Sequence, residues 1–221
     1  MSKTERAVLF ANGAALNPTA IALRGDDFLV AVDGGLHHMR ALGLSPQLLI
    51  GDMDSLSAQE VEACRQAGVE ILRFPPAKNK TDLELALDEV LRRGYRNILI
   101  AFALGNRLDQ TLGNLALLSR PDLNDCAVRI DDGLTEVYQL RDTITLTCQP
   151  GDTVSLLPWG EPAQGVETDG LEFPLKSETL WPWQTRGISN RCNSERFSVS
   201  LEHGALLIIH TRQNQDNGGT T

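Results

Sequence analysis

The chain has 221 residues, 42% of them hydrophobic and 22% charged, which is enough apolar material for a packed core and a length that suits two small domains. Its formal net charge is −9 and it has no run of Lys or Arg. This argues against nucleic acid as a partner, because phosphate contacts need a basic face. We find no signal peptide and no apolar stretch of membrane-spanning length, so we expect a cytoplasmic protein with no membrane partner.

The four cysteines are widely separated and form no CxxC pair. A zinc site or a disulfide framework therefore has little support, and free thiols in a reducing compartment are expected.

The first part of the chain alternates strand-like and helix-like patterns. Six short apolar runs, each followed by turn residues, predict the strands of a buried parallel sheet. They cover residues 7–10, 28–32, 48–50, 69–74, 98–102 and 126–130. Helices are predicted after the turn at 33–35, after capping-box spacings at 57–60 and 81–84, and over 110–119. This alternation predicts an α/β domain over residues 1–140.

The pattern changes after about residue 140. Five strand-like segments separated by Gly, Pro or Asn cover 143–147, 153–157, 165–168, 196–201 and 205–210. They predict a small all-β sandwich or barrel over residues 141–213. The polar, Gly-rich residues 214–221 are predicted to be a flexible tail.

Acidic residues follow the predicted strands, where ligands bind in an open parallel sheet. They are Asp33, Asp52, Asp54, Asp82 and Asp109. Two carboxylates about 4 Å apart repel by roughly 4 kcal/mol at an effective dielectric near 20. A fold that gathers several must neutralise them or raise their pKa values, and Mg²⁺ together with an arginine would do so.

Each acidic residue also has a simpler interpretation. Asp52 and Asp54 point to one side if the backbone is extended, as a cation site needs, but Asp54 or Ser55 could instead cap the next helix. Asp82 follows a capping Thr81, where acidic residues are common. Arg107 beside Asp109 is equally compatible with an ion pair and with a phosphate clamp.

Four motifs occur in a specific order and spacing: Asp33-Gly34-Gly35, Gly51-Asp52-Met53-Asp54-Ser55, Lys80-Thr81-Asp82-Leu83-Glu84 and Gly105-Asn106-Arg107-Leu108-Asp109. With Leu156-Leu157-Pro158, residues 170–175 and residues 187–190, the chain resembles the thiamine pyrophosphokinase family from about residue 8 to 210.

The resemblance implies an α/β nucleotide domain, a β-sandwich domain and a homodimer. It implies Mg²⁺-dependent transfer of pyrophosphate from ATP to the hydroxyl of thiamine, giving thiamine pyrophosphate and AMP. The family pattern assigns the metal to Asp52, Asp54 and Asp82, which with Arg107 and Asp109 form the expected catalytic set. Nucleotide contacts are expected from Asp33, Gly34, Gly35, Ser55, Lys80, Thr81 and Arg107. Thiamine, lying between the domains of two subunits in the family, is expected to meet Gln110, Phe173, Ser189 and Asn190.

The chain departs from the family pattern at three positions. Asn106 stands where many members have Gly, Gln110 where bacterial members usually have His, and Asn79 where Asp is frequent. None of these removes an expected metal ligand, so they bear on nucleotide preference and rate.

Three rival interpretations remain open: pyrophosphate transfer to another hydroxymethyl heterocycle such as a pterin, a non-catalytic thiamine or nucleotide sensor, and a scaffold protein. The acidic set argues against the sensor, because binding alone does not need so many costly charges.

Overall fold

The computed structural model describes residues 3–213 and divides the chain after Gly133 into two compact units. The predicted tail, 214–221, lies outside the described residues. An α/β unit followed by a small β sandwich confirms the predicted fold class. The sequence-based domain boundary at residue 140 lies later than the division at Gly133 and stays a prediction.

The first unit is built on a parallel sheet whose strands correspond to the six predicted ones. In space their order is β6-β5-β1-β2-β3-β4, and the register pairs are all parallel. The strands are β1 (Lys3–Phe10), β2 (Phe28–Val32), β3 (Leu48–Gly51), β4 (Glu70–Arg73), β5 (Tyr95–Ala101) and β6 (Ala127–Asp131). The inner strands are buried, which explains why they read as continuous apolar runs.

Four α-helices connect these strands: α1 (Gly35–Ala41), α2 (Ala58–Gln66), α3 (Asp82–Arg92) and α4 (Leu108–Leu117). Ser57 and Glu60 form the predicted capping box at the start of α2. At α3 only half of the predicted box forms. Thr81 Oγ1 accepts the N–H of Glu84 at 3.2 Å, whereas the carboxylate of Glu84 lies 3.6 Å from Lys80 Nζ. None of the described helices is both long and apolar enough to cross a membrane.

The second unit, in its described part, contains two antiparallel sheets with the orders β12-β9-β14-β7 and β11-β10-β13-β8. The strands are β7 (Thr135–Leu140), β8 (Thr143–Thr147), β9 (Thr153–Pro158), β10 (Ala163–Asp169), β11 (Glu178–Leu180), β12 (Asn190–Arg191), β13 (Arg196–Ser200) and β14 (Leu206–Thr211). Their inward side chains, such as Val154, Val166, Phe197 and Ile208, form one core.

Three of these strands were absent from the sequence-based prediction. Strands β11 and β12 contain three and two residues, too few to show a period of two. Strand β7 has polar residues at Glu136 and Gln139, and it falls within the predicted first domain, residues 1–140.

The loops after the first-unit strands gather at one edge of the sheet. Gly13 N–H donates to Phe102 O at 2.7 Å and Ala14 N–H donates to Leu104 O at 2.7 Å, which joins the loops after β1 and β5. A Cβ at Gly35 would lie 1.8 Å from Phe10 O, so only glycine lets α1 start this close to β1.

Candidate active site

A cavity of about 380 Å³ lies at the carboxyl ends of the first-unit strands. This is where ligands bind in open α/β sheets. Its lining includes Asn12, Asp33, Asp52, Asp54, Ser55, Lys78, Lys80, Thr81, Asp82, Asn106, Arg107, Gln110 and Asn114.

Three carboxylates converge at this cavity. Asp33 follows β2, whereas Asp52 and Asp54 follow β3, and one oxygen from each lies within 4.8 Å of the others. The backbone between Asp52 and Asp54 is not extended. Met53 between them has a φ of +66°, and the N–H of Asp54 turns back to Asp52 Oδ1 at 3.3 Å. A tight turn, instead of strand alternation, therefore brings the two carboxylates together.

Asp33 is the buried member of this group, with 8% of its surface exposed. Its Oδ1 has no hydrogen-bond partner among the described residues. A buried carboxylate oxygen left without a partner is unfavourable by about 1–3 kcal/mol or more. A bound cation would satisfy it, and an all-oxygen carboxylate set suits a hard ion such as Mg²⁺.

Gly51, the last residue of β3, makes room for the acidic residues. Its φ is +147°, and a Cβ there would lie 3.0 Å from Asp33 Cβ and 3.3 Å from the carboxyl group of Asp82. Glycine therefore serves both the backbone conformation and the close approach of two carboxylates.

Lys78, in the loop between β4 and α3, places an ammonium group among these acids. Its Nζ lies 2.7 Å from Asp52 Oδ2 and 2.9 Å from Asp82 Oδ1. The first contact is a hydrogen bond. The second is an ion pair without hydrogen-bond geometry, since Asp82 Oδ1 accepts none from the described residues.

The pKa values follow from this arrangement. The hydrogen bond from Lys78 lowers the pKa of Asp52. Burial raises the pKa of Asp82 despite Lys78, and the neighbouring charges of Asp52 and Asp33 add to the increase. Burial alone would lower the pKa of Lys78, but its two acidic partners raise it. The ammonium is thus held in its charged form.

The predicted nucleotide-binding residues are only partly brought together. Ser55 and Thr81 line the cavity, and Ser55 Oγ donates to Asp54 Oδ1 at 3.2 Å. Lys80 also reaches the lining, but its Nζ pairs with Asp88 Oδ2 at 2.5 Å. Gly34 and Gly35 lie at the start of α1, where they support packing, and they are not among the lining residues described.

Arg107 and Asp109 flank the start of α4 as an exposed ion pair. Arg107 Nε and Nη2 donate to the two carboxylate oxygens of Asp109 at 3.1 Å and 2.5 Å. Their hydrogen bonds raise the pKa of Arg107 and lower that of Asp109. Arg107 lines the cavity together with Gln110, so its guanidinium is within reach of an anionic ligand.

The predicted thiamine residues of the second unit form a local cluster. Phe173 is 55% exposed, and its backbone is held by the buried side chain of Asn190. Ser189 has a φ of +60°, and its N–H donates to Ser155 Oγ at 3.1 Å. Asn190 thus supports the segment that presents the Phe173 ring.

Comparison with known proteins identifies the family. Residues 21–130 match the family model "Thiamin pyrophosphokinase, catalytic domain". Residues 141–206 match the model "Thiamin pyrophosphokinase, vitamin B1 binding domain".

The chain belongs to the thiamin pyrophosphokinase family.

Two relatives in this family match most of the chain. Thiamine pyrophosphokinase of Bacillus subtilis (strain 168) is 26% identical over 192 residues, covering 82% of this chain and 86% of the relative. Thiamine pyrophosphokinase 1 of Oryza sativa subsp. japonica is 26% identical over 180 residues, covering 76% and 67%.

The crystal structure of the Bacillus subtilis thiamine pyrophosphokinase aligns with a TM-score of 0.84 at 23% identity, covering 95% of this chain and all of that one (100%). That of thiamin pyrophosphokinase from Geobacillus thermodenitrificans aligns with a TM-score of 0.80 at 26% identity, covering 96% and 98%. The predicted resemblance and enzyme class are confirmed.

Within this thiamin pyrophosphokinase-family site, sequence reasoning missed Lys78, Asn12 and Asn114. Asn114 is buried, and its Nδ2 donates to Ala103 O at 2.8 Å, which ties α4 to the loop after β5. A signal existed for Lys78, which lies four residues before Asp82 in a short basic stretch.

Proposed function

We propose that this chain is a Mg²⁺-dependent thiamine pyrophosphokinase. It transfers the terminal pyrophosphate of ATP to the hydroxyl of thiamine, giving thiamine pyrophosphate and AMP. The observation that carries the proposal is the convergence of Asp33, Asp52 and Asp54 within 4.8 Å, in a cavity at the carboxyl ends of a parallel sheet, in a chain that matches both family domains.

The proposed metal ligands are Asp52, Asp54 and Asp82, as the family pattern assigns them, joined by Asp33. The unpartnered buried oxygen of Asp33 supports its inclusion. When bound, Mg²⁺ supplies Lewis-acid stabilisation of the phosphoryl oxygens and a template for the triphosphate.

The chain's own residues bind and orient the two substrates and neutralise the charge that develops on the phosphates. The hydroxyl oxygen of thiamine forms a bond to the β-phosphorus of ATP and gives up its proton to water, and the bond from that phosphorus to the α,β-bridging oxygen breaks. The electron pair leaves with AMP, so negative charge grows on the bridging oxygen. Arg107 and Lys80, both lining the cavity, neutralise this charge when they exchange their carboxylate partners for phosphate oxygens.

The start of α3 provides a second anion-binding element. Thr81 is the N-cap residue of this helix and lines the cavity. Backbone N–H groups at a helix N-terminus favour phosphate oxygens. Ser55, across the same cavity, offers a hydroxyl for a further phosphate or water contact.

Thiamine is proposed to contact Phe173, Ser189, Asn190 and Gln110. The exposed ring of Phe173 offers a stacking face for the aromatic and cationic rings of thiamine. Asn190 acts mainly through Phe173, because its Oδ1 and Nδ2 are bonded to the backbone of that residue.

Two further expectations remain part of the proposal. A homodimer is supported by Leu108 and Leu112, which lie one turn apart on α4 and are 74% and 50% exposed. A cytoplasmic location is supported by four free cysteines, since oxidising compartments favour disulfides.

The test offers thiamine and a hydroxymethylpterin separately with MgATP and quantifies AMP and the pyrophosphorylated product by chromatography. We expect equimolar AMP and thiamine pyrophosphate with thiamine, and no AMP above the acceptor-free control with the pterin. If AMP formed with the pterin but not with thiamine, the pterin and not thiamine would be the acceptor.

A further inference from the structure

Lys78 occupies a position that the proposed reaction leaves unexplained. Its side chain is 13% exposed, and its Nζ is shared between Asp52 at 2.7 Å and Asp82 at 2.9 Å. Asp52 lies in the loop after β3, and Asp82 is the first residue of α3. Among the described residues, no other cation forms an ion pair with either of them.

The ammonium also uses an oxygen that the proposed metal needs. Asp52 Oδ2 receives the hydrogen bond from Lys78, and Asp52 Oδ1 accepts the N–H of Asp54. Both oxygens of Asp52 are thus engaged. On the other side of the cluster, the buried Oδ1 of Asp33 has no partner in the described chain. Lys78 therefore neutralises one half of the acidic group and leaves the other half unsatisfied.

We propose that Lys78 is an internal counter-cation that holds the acidic site together when it is empty and releases Asp52 when a divalent ion binds. Lys78 is then a positioning residue that sets the affinity for the ion. This inference rests on the proposed metal site. Lysine suits the role because its ammonium is a point charge on a flexible four-carbon stem, and residue 78 lies outside regular secondary structure.

Lys80 provides a matched comparison in the same loop. Its ammonium pairs with Asp88 at 2.5 Å and Glu84 at 3.6 Å, both on α3. Neither carboxylate belongs to the acidic group around Asp52. Removing the charge of Lys80 tests the loss of one nearby positive charge without freeing Asp52.

The experiment measures binding of Mn²⁺ to the full-length protein without nucleotide, from the electron paramagnetic resonance signal of the free ion. Wild type, Lys78→Met, Lys78→Arg, Lys80→Met and Asp52→Asn are compared. Because Lys78→Met removes a unit charge in contact with the site, its affinity for Mn²⁺ should rise about tenfold or more. Lys78→Arg should have an affinity for Mn²⁺ close to that of wild type. Lys80→Met should change the affinity less than threefold, because the charge of Lys80 lies farther from the site than that of Lys78.

Thermal unfolding gives a second readout. In EDTA, Lys78→Met should melt below wild type, because the repulsion between Asp52 and Asp82 is no longer relieved. Added Mn²⁺ should raise its midpoint by more than it raises that of wild type.

The outcomes separate the two proposals. The role of Lys78 would be overturned if Lys78→Met bound Mn²⁺ no more tightly than wild type, or if neither wild type nor Lys78→Met bound Mn²⁺. Loss of binding in Asp52→Asn together with an unchanged Lys78→Met would leave the metal site standing and remove only this inference. Wild-type binding by Asp52→Asn would reject the metal assignment itself.

Discussion

Asn190 fixes the backbone of Phe173 through two hydrogen bonds: the Phe173 N–H donates to Asn190 Oδ1 at 3.0 Å, and Asn190 Nδ2 donates to Phe173 O at 2.7 Å. The two residues are 17 positions apart in the sequence. Asn190 is buried while the Phe173 side chain is exposed. An amide that a sequence motif assigns to the substrate thus also shapes the segment carrying the aromatic ring.

Asn190→Ala should therefore impair thiamine binding and stability together. Loss of both bonds leaves the N–H and C=O of Phe173 without their partner, which should lower the free energy of unfolding by about 1–3 kcal/mol. We expect the KM for thiamine to rise about tenfold, which corresponds to a loss of about 1.4 kcal/mol of binding free energy, while the KM for ATP changes little. Steady-state kinetics and urea unfolding check this. An unchanged KM for thiamine in a folded Asn190→Ala variant would contradict the role of the Phe173 segment.

Gly51→Ala should disrupt the acidic group. The φ of +147° and the contacts with Asp33 and Asp82 predict a loss of stability of about 1–3 kcal/mol and a large fall in turnover. Gly68→Ala is the matched control. Gly68 has a φ of +78°, but nothing lies within 4 Å of an added Cβ, so it should lose about 1–2 kcal/mol from backbone strain alone and keep its turnover. Equal turnover in the two variants would show that a Cβ at residue 51 does not displace the carboxylates of Asp33 and Asp82.

Asp52→Asn and Asp54→Asn should each reduce turnover at least about 100-fold, as expected when a charged ligand at the reacting phosphate is lost. The fold should stay intact, because neither change adds volume. Asp125→Asn, an exposed carboxylate outside the cavity, serves as the control and should be fully active. The rate of AMP formation measures turnover, and far-ultraviolet circular dichroism checks that the fold is intact. Near-normal turnover in both site variants would reject the metal assignment.

The stability of the second unit should include a pH-dependent contribution from His210. Burial alone would lower the pKa of His210, but Glu136 and Asp152 raise it above the ordinary 6.5. Nε2 lies 2.9 Å from Asp152 Oδ2. A raised folded-state pKa means that protonated His210 stabilises the fold fully below pH 6.5 and that this contribution disappears as pH rises through the folded-state pKa.

His210→Gln should therefore lower the thermal midpoint more at pH 6, about half a pH unit below the ordinary histidine pKa, than at pH 9, well above it. Asp152, whose pKa is lowered by its hydrogen bonds with the backbone at Gln149 and Gln213 and with His210 against the effect of burial, stays ionised over this range. If His210→Gln lowered the thermal midpoint equally at both pH values, the charged pair of His210 and Asp152 would be contradicted.

Most of the fold was predictable because its cause is local. Six apolar runs bounded by turn residues correspond to the six parallel strands, and Ser57 with Glu60 marks the start of α2. The convergence of Asp33 with Asp52 was expected from topology, since the carboxyl ends of neighbouring parallel strands meet at one edge.

The rest depends on contacts that no local pattern reports. A left-handed conformation at Met53 is uncommon for a bulky residue, so the turn that joins Asp52 and Asp54 could not be anticipated. The pairing of Lys78 with Asp52 spans 26 positions and depends on how an irregular loop folds. Strand β7 is defined by its partner β14, because its own residues alternate only weakly.

The position of the divalent ion decides whether the metal assignment is right. Crystals grown with Mn²⁺ and a non-hydrolysable ATP analogue would locate the ion by its anomalous scattering. We expect Mn²⁺ bonded to carboxylate oxygens of the proposed ligands Asp33, Asp52, Asp54 and Asp82 and to the triphosphate, with Lys78 Nζ moved away from Asp52. An ion held away from these carboxylates, or a triphosphate bound with the Lys78–Asp52 contact intact and no ion beside it, would contradict this assignment.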